Sequence, residues 1–482
     1  MKTVWNIFVI PMMVEKYDIE EIFLSIPSID KENIFNEQNL KTIFTEIAVS
    51  NNVSLTYLED FKKSIGFPTL LEDHLSEFDS VKGDNSTYMP IGIIDFMVDA
   101  IIYGYTRFEH MEQLRKDEAY TSIKQHSAPS EKVCRDLLNA LPENACDNLR
   151  ALNKSLLKTQ ANTQLPREVM MDFDDTVVTV FGTQEKANVG YNPKYHGRPS
   201  YKEKVGIISG TKELVDLTLE EGSHHSNHHF LDFFKKCEET LPAQWILKRI
   251  RGDRGFFDQD NFNYFEDQQY EYIIKAKMQN GVKKILDYVV SHPAEYKWQE
   301  IDKTFSATDI IVPLPAWDKA RRFVIVRKTL PNIVESKQLI IDIDEFKYEY
   351  QAIVTNIDYL TPAEIFENYN QRCTIETNID ELKSGFAFSE NSQINYNSNE
   401  LFMLIKMIAY NLHNWYKNCI LPEELRHHQI TTLRRILYHI PGIIAGNGWY
   451  KHIKFQKNDK LEKIFTYIQN ALFIFRNQVM LN

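Results

Sequence analysis

The chain has 482 residues, of which 43% are hydrophobic, so it is long enough to bury two or more hydrophobic cores. Its formal net charge of −12 argues against a protein that coats nucleic acid without selectivity. The five cysteines show no paired spacing, which argues against a disulfide framework or a zinc ribbon and predicts a cytoplasmic protein. Asp95 and Asp99 interrupt the longest apolar run, so we expect no membrane span.

The first 165 residues have the spacing of a helical region. Asp95–Tyr105 and His110–Ser122 are amphipathic at helical period, and Pro129–Leu138 begins with a capping pattern at Ser130. The same region contains a distinctly acidic stretch, Leu58–Asp84. It shows no strong helix-turn-helix signal, so these residues alone assign no chemistry to it.

An apolar, β-branched run at Val169–Gly182 carries three aspartates and predicts a strand. Side chains alternate between the two faces of a strand, so Asp172 and Asp174 point one way and Asp175 the other. Asp172 and Asp174 are therefore both candidates for a functional carboxylate, and Asp175 is expected to be structural.

Two more strands are predicted at Lys204–Gly210 and Glu213–Leu219, followed by a helix over Asn227–Thr240. The segment before this helix, Gly222–His229, contains four histidines, a residue type that commonly binds zinc. Adjacent histidines point apart, and no nearby acid or cysteine evidently completes a ligand set. We therefore expect that removing all four histidines leaves the bound-metal content unchanged.

The next predicted strand, Trp245–Ile250, ends just before Asp253, which opens the sequence Asp-Arg-Gly-Phe. A short helix over Phe257–Gln268 and a strand over Tyr270–Lys277 follow. Asp253 has two interpretations, a carboxylate of a site or a turn aspartate that caps the following helix. The order of strands and helices predicts an α/β layout around one sheet.

Short β-branched runs separated by turns fill the region from residue 296 to residue 354. They lie at Asp309–Pro315, Arg322–Arg327, Gln338–Asp342 and Tyr348–Val354. Cations stand beside tryptophans here, with Lys297 next to Trp298, and Arg321 and Arg322 near Trp317. That mixture suits phosphate contact and base stacking, although a basic hairpin with two core tryptophans would look the same.

Tyr369, Arg372, Glu376 and Lys383 form the pattern Tyr-x2-Arg-x3-Glu-x6-Lys. On one continuous helix they would fall within about 60° of one another, beside an apolar arc expected to be buried. That arc consists of Ile375, Ile379, Leu382 and Phe386. One carboxylate with two cations and a phenol suits a metal-bound phosphodiester, and a salt-bridged helix surface is the alternative.

The pattern resembles the signature of DDE transposases of bacterial insertion sequences, in the cut-and-paste group whose third catalytic acid lies in a Tyr-Arg-Glu-Lys helix. Val169–Gly182 resembles the first acidic strand of that group, and Trp245–Phe257 resembles its second acidic motif. The tracts Gly190–Pro193 and Gly197–Tyr201 resemble one subgroup. The resemblance spans about residues 165–420.

The resemblance implies an α/β fold with an RNase H-like catalytic domain, interrupted by a β-rich insertion and flanked by helical regions. The expected regions are the helical N-terminal region (1–165), the first part of the catalytic domain (166–290), the insertion (291–355), the second part (356–420) and the helical C-terminal region (421–482). By analogy, the N-terminal region should recognise the terminal inverted repeats of the element.

The resemblance also implies a site. Asp174, Asp253 and Glu376 would be the catalytic acids and would bind two Mg²⁺ ions, for which Mn²⁺ substitutes. Asp174 is preferred because Thr176 then stands where the family has a hydroxyl, although Asp175 occupies a position where the family has a small residue. Asp172 remains the alternative. The DNA-binding residues would be Tyr369, Arg372, Lys383, Arg254, Trp298, Arg321 and Arg322.

The implied activity is metal-dependent cleavage of DNA strands at the element ends, followed by strand transfer into target DNA. The implied partners are double-stranded DNA, as terminal inverted repeats and target, and a second copy of the chain in a homodimeric synaptic complex. The protein would be cytoplasmic and associate with the nucleoid when bound to DNA. The alternatives are a catalytically silent DNA-binding protein derived from a transposase and a stand-alone RNase H-like DNA nuclease.

Overall fold

The computed structural model describes residues 48–83, 85–330, 348–390, 393–446 and 452–479. From Val49 onward, the described residues belong to one compact unit. The run predicted at Gln338–Asp342 lies outside the described residues. None of the helices in the described ranges is long and apolar enough to cross a membrane.

The described part of the chain begins with seven α-helices and one 3₁₀ turn (Ser76–Val81) before its first long strand. The helices are α1 (Leu55–Ser64), α2 (Phe67–Leu75), α3 (Pro90–Ile102), α4 (Phe108–Arg115), α5 (Glu118–Lys124), α6 (Glu131–Ala140) and α7 (Ala145–Asn162). Ser130 caps α6 as its sequence predicts, because its hydroxyl accepts the Val133 amide.

A mixed region of strands and helices follows. Its strands are β1 (Arg167–Thr179), β2 (Asn188–Val189), β3 (Pro199–Ile208), β4 (Leu214–Glu221), β5 (Trp245–Gly252), β6 (Glu271–Lys275), β7 (Gln299–Glu300), β8 (Phe305–Val312), β9 (Arg321–Thr329) and β10 (Tyr348–Thr355). Its helices are α8 (Phe230–Thr240), α9 (Gln259–Asp267) and α10 (Asn280–Ser291), with a 3₁₀ turn at Arg254–Phe256.

The remaining described elements are mainly helical. They are α11 (Pro362–Asn370), α12 (Cys373–Phe386), α13 (Tyr396–Ile420), α14 (Glu423–Arg426), α15 (Ile430–Leu433), a π-helical turn (Arg434–Tyr438), the hairpin β11 (Gly442–Ala445) and β12 (His452–Phe455), and α16 (Asp459–Val479). The π-helical turn follows α15 directly, since α15 ends at Leu433 and the turn begins at Arg434.

The described strands β1 to β10 form one mixed sheet in the order β2-β3-β1-β5-β6-β10-β9-β8-β7, with β4 also paired to β3. β1 lies antiparallel to β3 and parallel to β5, and β5 is parallel to β6. Parallel neighbours need a crossover, which α8 supplies between β4 and β5 and α9 supplies between β5 and β6. The carboxyl ends of β1 and β5 therefore meet at one edge of the sheet.

Both faces of the sheet are covered. Met171 and Phe173 of β1 pack with Phe230 and Phe234 of α8 in one core. The opposite face contributes residues such as Val205 of β3 to the core of the helical elements. Alternation along β1 therefore turns Asp172 and Asp174 away from α8 and toward the helices that follow the sheet.

Helix α13 is buried along most of its length and connects the helical elements to the sheet edge. The Asn411 side chain accepts the Leu214 amide at 2.9 Å and donates to the Leu214 carbonyl at 2.8 Å. These bonds satisfy backbone groups of β4 beside the point where its register with β3 shifts. Helices from both ends of the described chain pack in this core, with α16 against α1 and α7 against α13.

The helix expected over His110–Ser122 is divided into α4 and α5. The first helix ends at Arg115, and Asp117 caps the second, because its carboxylate accepts the Tyr120 amide at 3.0 Å. The same carboxylate accepts bonds from Ser50 and Asn52. A capping aspartate with these distant partners explains a break that helical periodicity alone did not show.

A buried charge network holds α1, α3 and α5 together. The Lys62 ammonium lies 2.6 Å from both Asp95 and Asp99 and 2.8 Å from Glu59. Lys124 contacts the same three carboxylates at 2.5 to 2.9 Å. Burial alone would lower the pKa of Lys62, but the three acids outweigh it and raise that pKa. The three acids lie close enough together to bind one metal ion, but the ammonium groups of Lys62 and Lys124 already supply the positive charge between them.

We expect Lys62→Ala to lower the free energy of unfolding by about 3–5 kcal/mol, because it leaves buried carboxylates short of a cation. Lys63→Ala is the matched control, since Lys63 is exposed on the same helix, and its effect should stay within about 0.5 kcal/mol. Urea unfolding followed by circular dichroism measures both values. Equal effects for the two variants would contradict the role given to the network.

Candidate active site

The three aspartates of β1 have different surroundings. Asp172 is buried in a two-pronged ion pair, in which Arg251 donates from Nε and Nη2 at 2.6 and 2.7 Å. Asp175 lies 3.5 Å from Lys202 on the neighbouring strand. Asp174 lies 3.0 Å from the Arg372 guanidinium. Arg251 and Lys202 belong to strands of the sheet, whereas Arg372 lies outside the sheet.

The Asp172 pair has a structural explanation. Arg251 stands directly opposite Asp172 in the parallel register of β1 and β5, and its guanidinium also bonds Ser209 and the Asn368 carbonyl. The pair thus connects two strands and the end of α11. A carboxylate already satisfied at both oxygens is a poor candidate for a further ligand, which favours Asp174 over Asp172.

Asp174 and Asp253 are brought together by strand register. Phe173 lies opposite Gly252 in the parallel pairing of β1 with β5, so the residue after each occupies neighbouring positions. Burial, with smaller contributions from the charges of Asp253 and Asp175, raises the pKa of Asp174 to about 7 against the opposing effect of Arg372. Two acids are therefore close enough to repel each other in a poorly solvated place.

Asp253 also has the capping role that its sequence allowed. Its Oδ1 accepts the Gly255 amide at 2.7 Å and caps the 3₁₀ turn Arg254–Phe256. Burial raises the pKa of Asp253, while Arg372 and the Gly255 bond lower it. One oxygen thus fixes the turn, and the structure records no bond to the other. The capping role and a ligand role are compatible.

Gly255 is required at this turn. A Cβ at this position would lie 2.6 Å from the Cβ of Ser226 and 2.8 Å from Asp253 Oδ1. The loop before α8 therefore packs directly against the turn that positions Asp253. Only a residue without a side chain allows this approach.

The expected single helix through Glu367–Lys383 is wrong in detail, because α11 ends at Asn370 and α12 begins at Cys373. Arg372 lies at the N-cap of α12 and its buried guanidinium turns inward to Asp174 and the Phe173 carbonyl. Tyr369 lies on the preceding helix, close enough to Arg372 for the two side chains to interact electrostatically. The interruption lets Arg372 reach the sheet.

Glu376 and Lys383 share one face of α12, since they are seven residues apart. Glu376 is exposed in the first turn, and Lys383 is half-buried. Lys383 lies near the buried Glu203 of β3, whose pKa is raised to about 8 by burial against the effects of Lys406 and Lys383. The apolar arc of Ile375, Ile379, Leu382 and Phe386 is buried, as the sequence predicts.

In this structure the three predicted acids do not close into one ligand cage. Among described residues, the acid- and histidine-containing groups with ligand atoms within 4.8 Å of one another lie elsewhere. Asp174 and Asp253 nevertheless fit a divalent cation, because both are carboxylates whose pKa is raised by burial, with Arg372 offsetting that effect only in part. Glu376 lies one helical turn beyond Arg372, in the first turn of α12.

The other predicted DNA contacts fall into two groups. Arg254 is exposed beside Asp253. Arg321 is buried, pairs with Glu266 at 2.7 Å and covers the Trp317 ring. Arg322 pairs with Asp309 at 2.7 Å and donates to backbone carbonyls near the start of α11. DNA contact by Arg321 or Arg322 would require these pairs to open.

The two tryptophans also differ. Trp317 packs against Phe257, Phe262 and Phe323, as a residue of a hydrophobic core does. Trp298 is half-buried and its ring is covered by the Arg327 guanidinium at 4.2 Å. Such a cation and ring offer a flat, positively charged surface. Both rings are half-buried and pack against the same hydrophobic core, and they differ in the partners that cover them.

The expectation that no acid accompanies the histidine tract is wrong. Glu220, at the end of β4, lies 3.7 Å from His224 Nδ1 and 3.8 Å from His228 Nδ1. The tract is a series of turns and not a helix start, because α8 begins only at Phe230 after His229 adopts a left-handed conformation. The turns bring His224 and His228, which are four residues apart, next to the Glu220 carboxylate. Adjacent histidines point apart, so the sequence pattern did not predict this contact.

The raised pKa of Asp174 predicts a pH dependence of stability. Between pH about 4 and about 7 the folded protein holds a proton at Asp174 that the unfolded chain has lost, so stability falls as pH rises, by up to about 1.4 kcal/mol per unit. Asp174→Asn removes this contribution, while its amide oxygen can still accept from Arg372. In metal-free buffer, the stability advantage of Asp174→Asn over wild type should therefore grow from pH 4 to pH 8. A difference that does not change with pH would contradict the assignment.

Comparison with known proteins gives the family. No curated protein matches the chain. A cryo-EM structure of a piggyBac transposase synaptic complex with hairpin DNA is similar, with a TM-score of 0.43 and 11% identity over 88% of this chain and 84% of that one. The family model described as transposase DDE domain group 1 matches residues 33–476. Since this match covers most of the sequence, the chain belongs to the DDE transposases of domain group 1.

Proposed function

We propose that this transposase cuts DNA strands at the ends of a bacterial insertion sequence and joins the freed ends to target DNA, with Asp174, Asp253 and Glu376 as its catalytic acids. The observation that carries the proposal is the juxtaposition of Asp174 and Asp253 at the carboxyl ends of β1 and β5. Arg372 faces both and begins the helix that carries Glu376.

The strand pairing supports an RNase H-like catalytic domain. Antiparallel β1, β3 and β4 continue into β5 and β6, which run parallel to β1. Strands β7 to β10 lie mostly within residues 291–355 and extend the same sheet, which supports the proposed β-rich insertion. The acids then come from three separate elements: a mid-strand position, the end of a neighbouring strand and a helix.

Asp174, Asp253 and Glu376 would hold two divalent ions, Mg²⁺ with Mn²⁺ as substitute. When bound, these ions activate the attacking oxygen and stabilise the leaving oxygen of an in-line displacement. Burial deprives the Asp174 and Asp253 carboxylates of solvation by water. A bound cation would therefore stabilise their negative charge. Asp253 keeps one oxygen on the Gly255 amide, so the turn holds its orientation.

The cations of the site would hold the DNA backbone. Arg372 offsets the charge of Asp174 in the free protein and can exchange that partner for a phosphate oxygen when ions neutralise the acid. Lys383 lies on the same face of α12 as Glu376, and Arg254 is exposed beside Asp253. Tyr369 completes the set at the end of α11.

The proposed assembly is a homodimer on paired element ends, with residues 1–165 recognising the terminal inverted repeats. The test uses DNA that carries the inverted repeats flanking the gene, a labelled target and Mg²⁺. Cleavage at the repeat ends with joining to the target supports the proposal. Binding without cleavage indicates a silent derivative, and cleavage without joining indicates a stand-alone nuclease; either result overturns it.

Asp174→Asn, Asp253→Asn and Glu376→Gln should each abolish Mg²⁺-dependent strand cleavage while leaving the binding of end DNA largely intact, because each removes a ligand and not a docking surface. Asp175→Ala is the control and should retain measurable cleavage. Asp172→Asn should lower thermal stability through its lost bonds to Arg251 and yet cut when folded. The assignment is wrong if Asp174→Asn cuts normally and Asp172→Asn does not.

Trp298 is proposed to stack on a base that leaves the helix near the cleaved end, since an aromatic platform offsets part of the unstacking cost. Trp298→Ala should then slow processing of the second strand, with partial rescue by an abasic nucleotide, while the first nick stays near normal. Trp317→Ala is the control and should lower thermal stability, because that ring packs against Phe257, Phe262 and Phe323. Parallel losses of nicking and of thermal stability in Trp298→Ala would show a core residue instead.

A further inference from the structure

A second group of potential ligands lies on the opposite face of the sheet from Asp174. Glu220 is paired with Lys202 in the register of β4 and β3, and Lys204 lies opposite Asp175. Directly paired residues share a face, so Glu220 and the lysines stand on the Phe173 side. The group is therefore separate from the acids proposed for catalysis.

Two imidazole nitrogens in this group have no hydrogen-bond partner among the residues that the structure describes. His224 Nδ1 and His228 Nδ1 are buried atoms without a hydrogen bond, and both face Glu220 Oε2, at 3.7 and 3.8 Å. These distances are too long for hydrogen bonds. A tetrahedral ion with bonds of about 2.0–2.2 Å separates its ligand atoms by about 3.3–3.6 Å, which is close to the spacing found.

The remaining contacts orient these ligands. Lys204 donates to Glu220 Oε1 at 2.7 Å and to the His228 carbonyl, so Oε2 is left to face the imidazoles. The rings of His224 and His228 stack at 3.8 Å. Fixed outer contacts of this kind hold metal ligands in position.

We propose, against the expectation from sequence that the histidine tract holds no metal, that Glu220, His224 and His228 bind one zinc-type divalent ion. One carboxylate and two imidazoles suit zinc, whereas Mg²⁺ prefers oxygen ligands alone. A cavity of about 350 Å³ lined by Glu220, His224, His229 and Asp232 opens beside the group. It provides space for water at the remaining coordination positions.

The ion has a structural consequence for the Asp253 turn. Ser226 stands between the two histidine ligands in sequence and packs on Gly255, where a Cβ would meet it at 2.6 Å. Asn227 of the same loop bonds Asn261 of α9 at 2.7 Å. An ion that joins Glu220 to His224 and His228 therefore stiffens the loop that supports the turn holding Asp253.

The test measures zinc in the purified full-length protein after loading with Zn²⁺ and removal of free metal. Wild type should hold about one ion per chain, and Glu220→Gln and the double variant His224→Ala/His228→Ala should fall to background. His225→Ala is the matched control, because His225 is exposed in the same loop, and it should keep the ion. Asp174→Asn should also keep it, which separates this ion from any bound by the catalytic acids.

Two further measurements use the wild-type protein, so misfolding of a variant does not affect them. Chelation should lower the Tm, and Zn²⁺ but not Mg²⁺ should restore it. Hydrogen exchange at the Gly255 and Phe256 amides should become several-fold faster after chelation, because both amides bond Asp253 in the supported turn. Wild type that binds no zinc, or zinc content unchanged in the double variant, would overturn the proposal. Unchanged exchange at the turn would overturn the supporting role of the ion.

Discussion

Burial of the neighbouring acids Asp174 and Asp253 is the constraint on which the rest of the site depends. Parallel pairing of β1 and β5 places the two acids side by side in poorly solvated surroundings, and burial already raises both pKa values. Arg372 offsets the charge of both acids, and Arg254 also offsets that of Asp253. The pKa values of both acids nevertheless stay raised, and buried carboxylates of this kind favour binding of divalent metal.

Arg372 also explains the break between α11 and α12. A continuous helix would keep this side chain on the same stripe as Glu376 and Lys383, at the helix surface. Interrupting the helix allows the guanidinium to reach the Phe173 carbonyl and Asp174 in the sheet. Helical periodicity correctly places the apolar arc of α12, because burial follows the period. The helical period does not predict which group a long polar side chain such as Arg372 contacts.

β-branched runs and turn residues predict the acidic strand, the strand before Asp253 and most of the elements between them. The order of these elements could therefore be predicted from sequence. The choice between Asp172 and Asp174 could not, since both share one face. It depends on Arg251, which becomes the partner of Asp172 only once β1 and β5 pair in register. Glu220 was missed for the same reason, because its proximity to the histidines arises from the turns after β4.

The two faces of the sheet therefore present different ligand chemistry around one turn. Asp174 and Asp253 offer hard oxygen ligands, whereas the Glu220 group offers imidazole nitrogens with one carboxylate. Because ligand type biases the choice of metal, the two proposed sites would prefer different ions. The Asp253 turn lies between them, with its carboxylate on one side and Gly255 packed against Ser226 on the other. An ion at the proposed Glu220 site would therefore make the Asp253 turn more rigid and fix the position of that acid more closely.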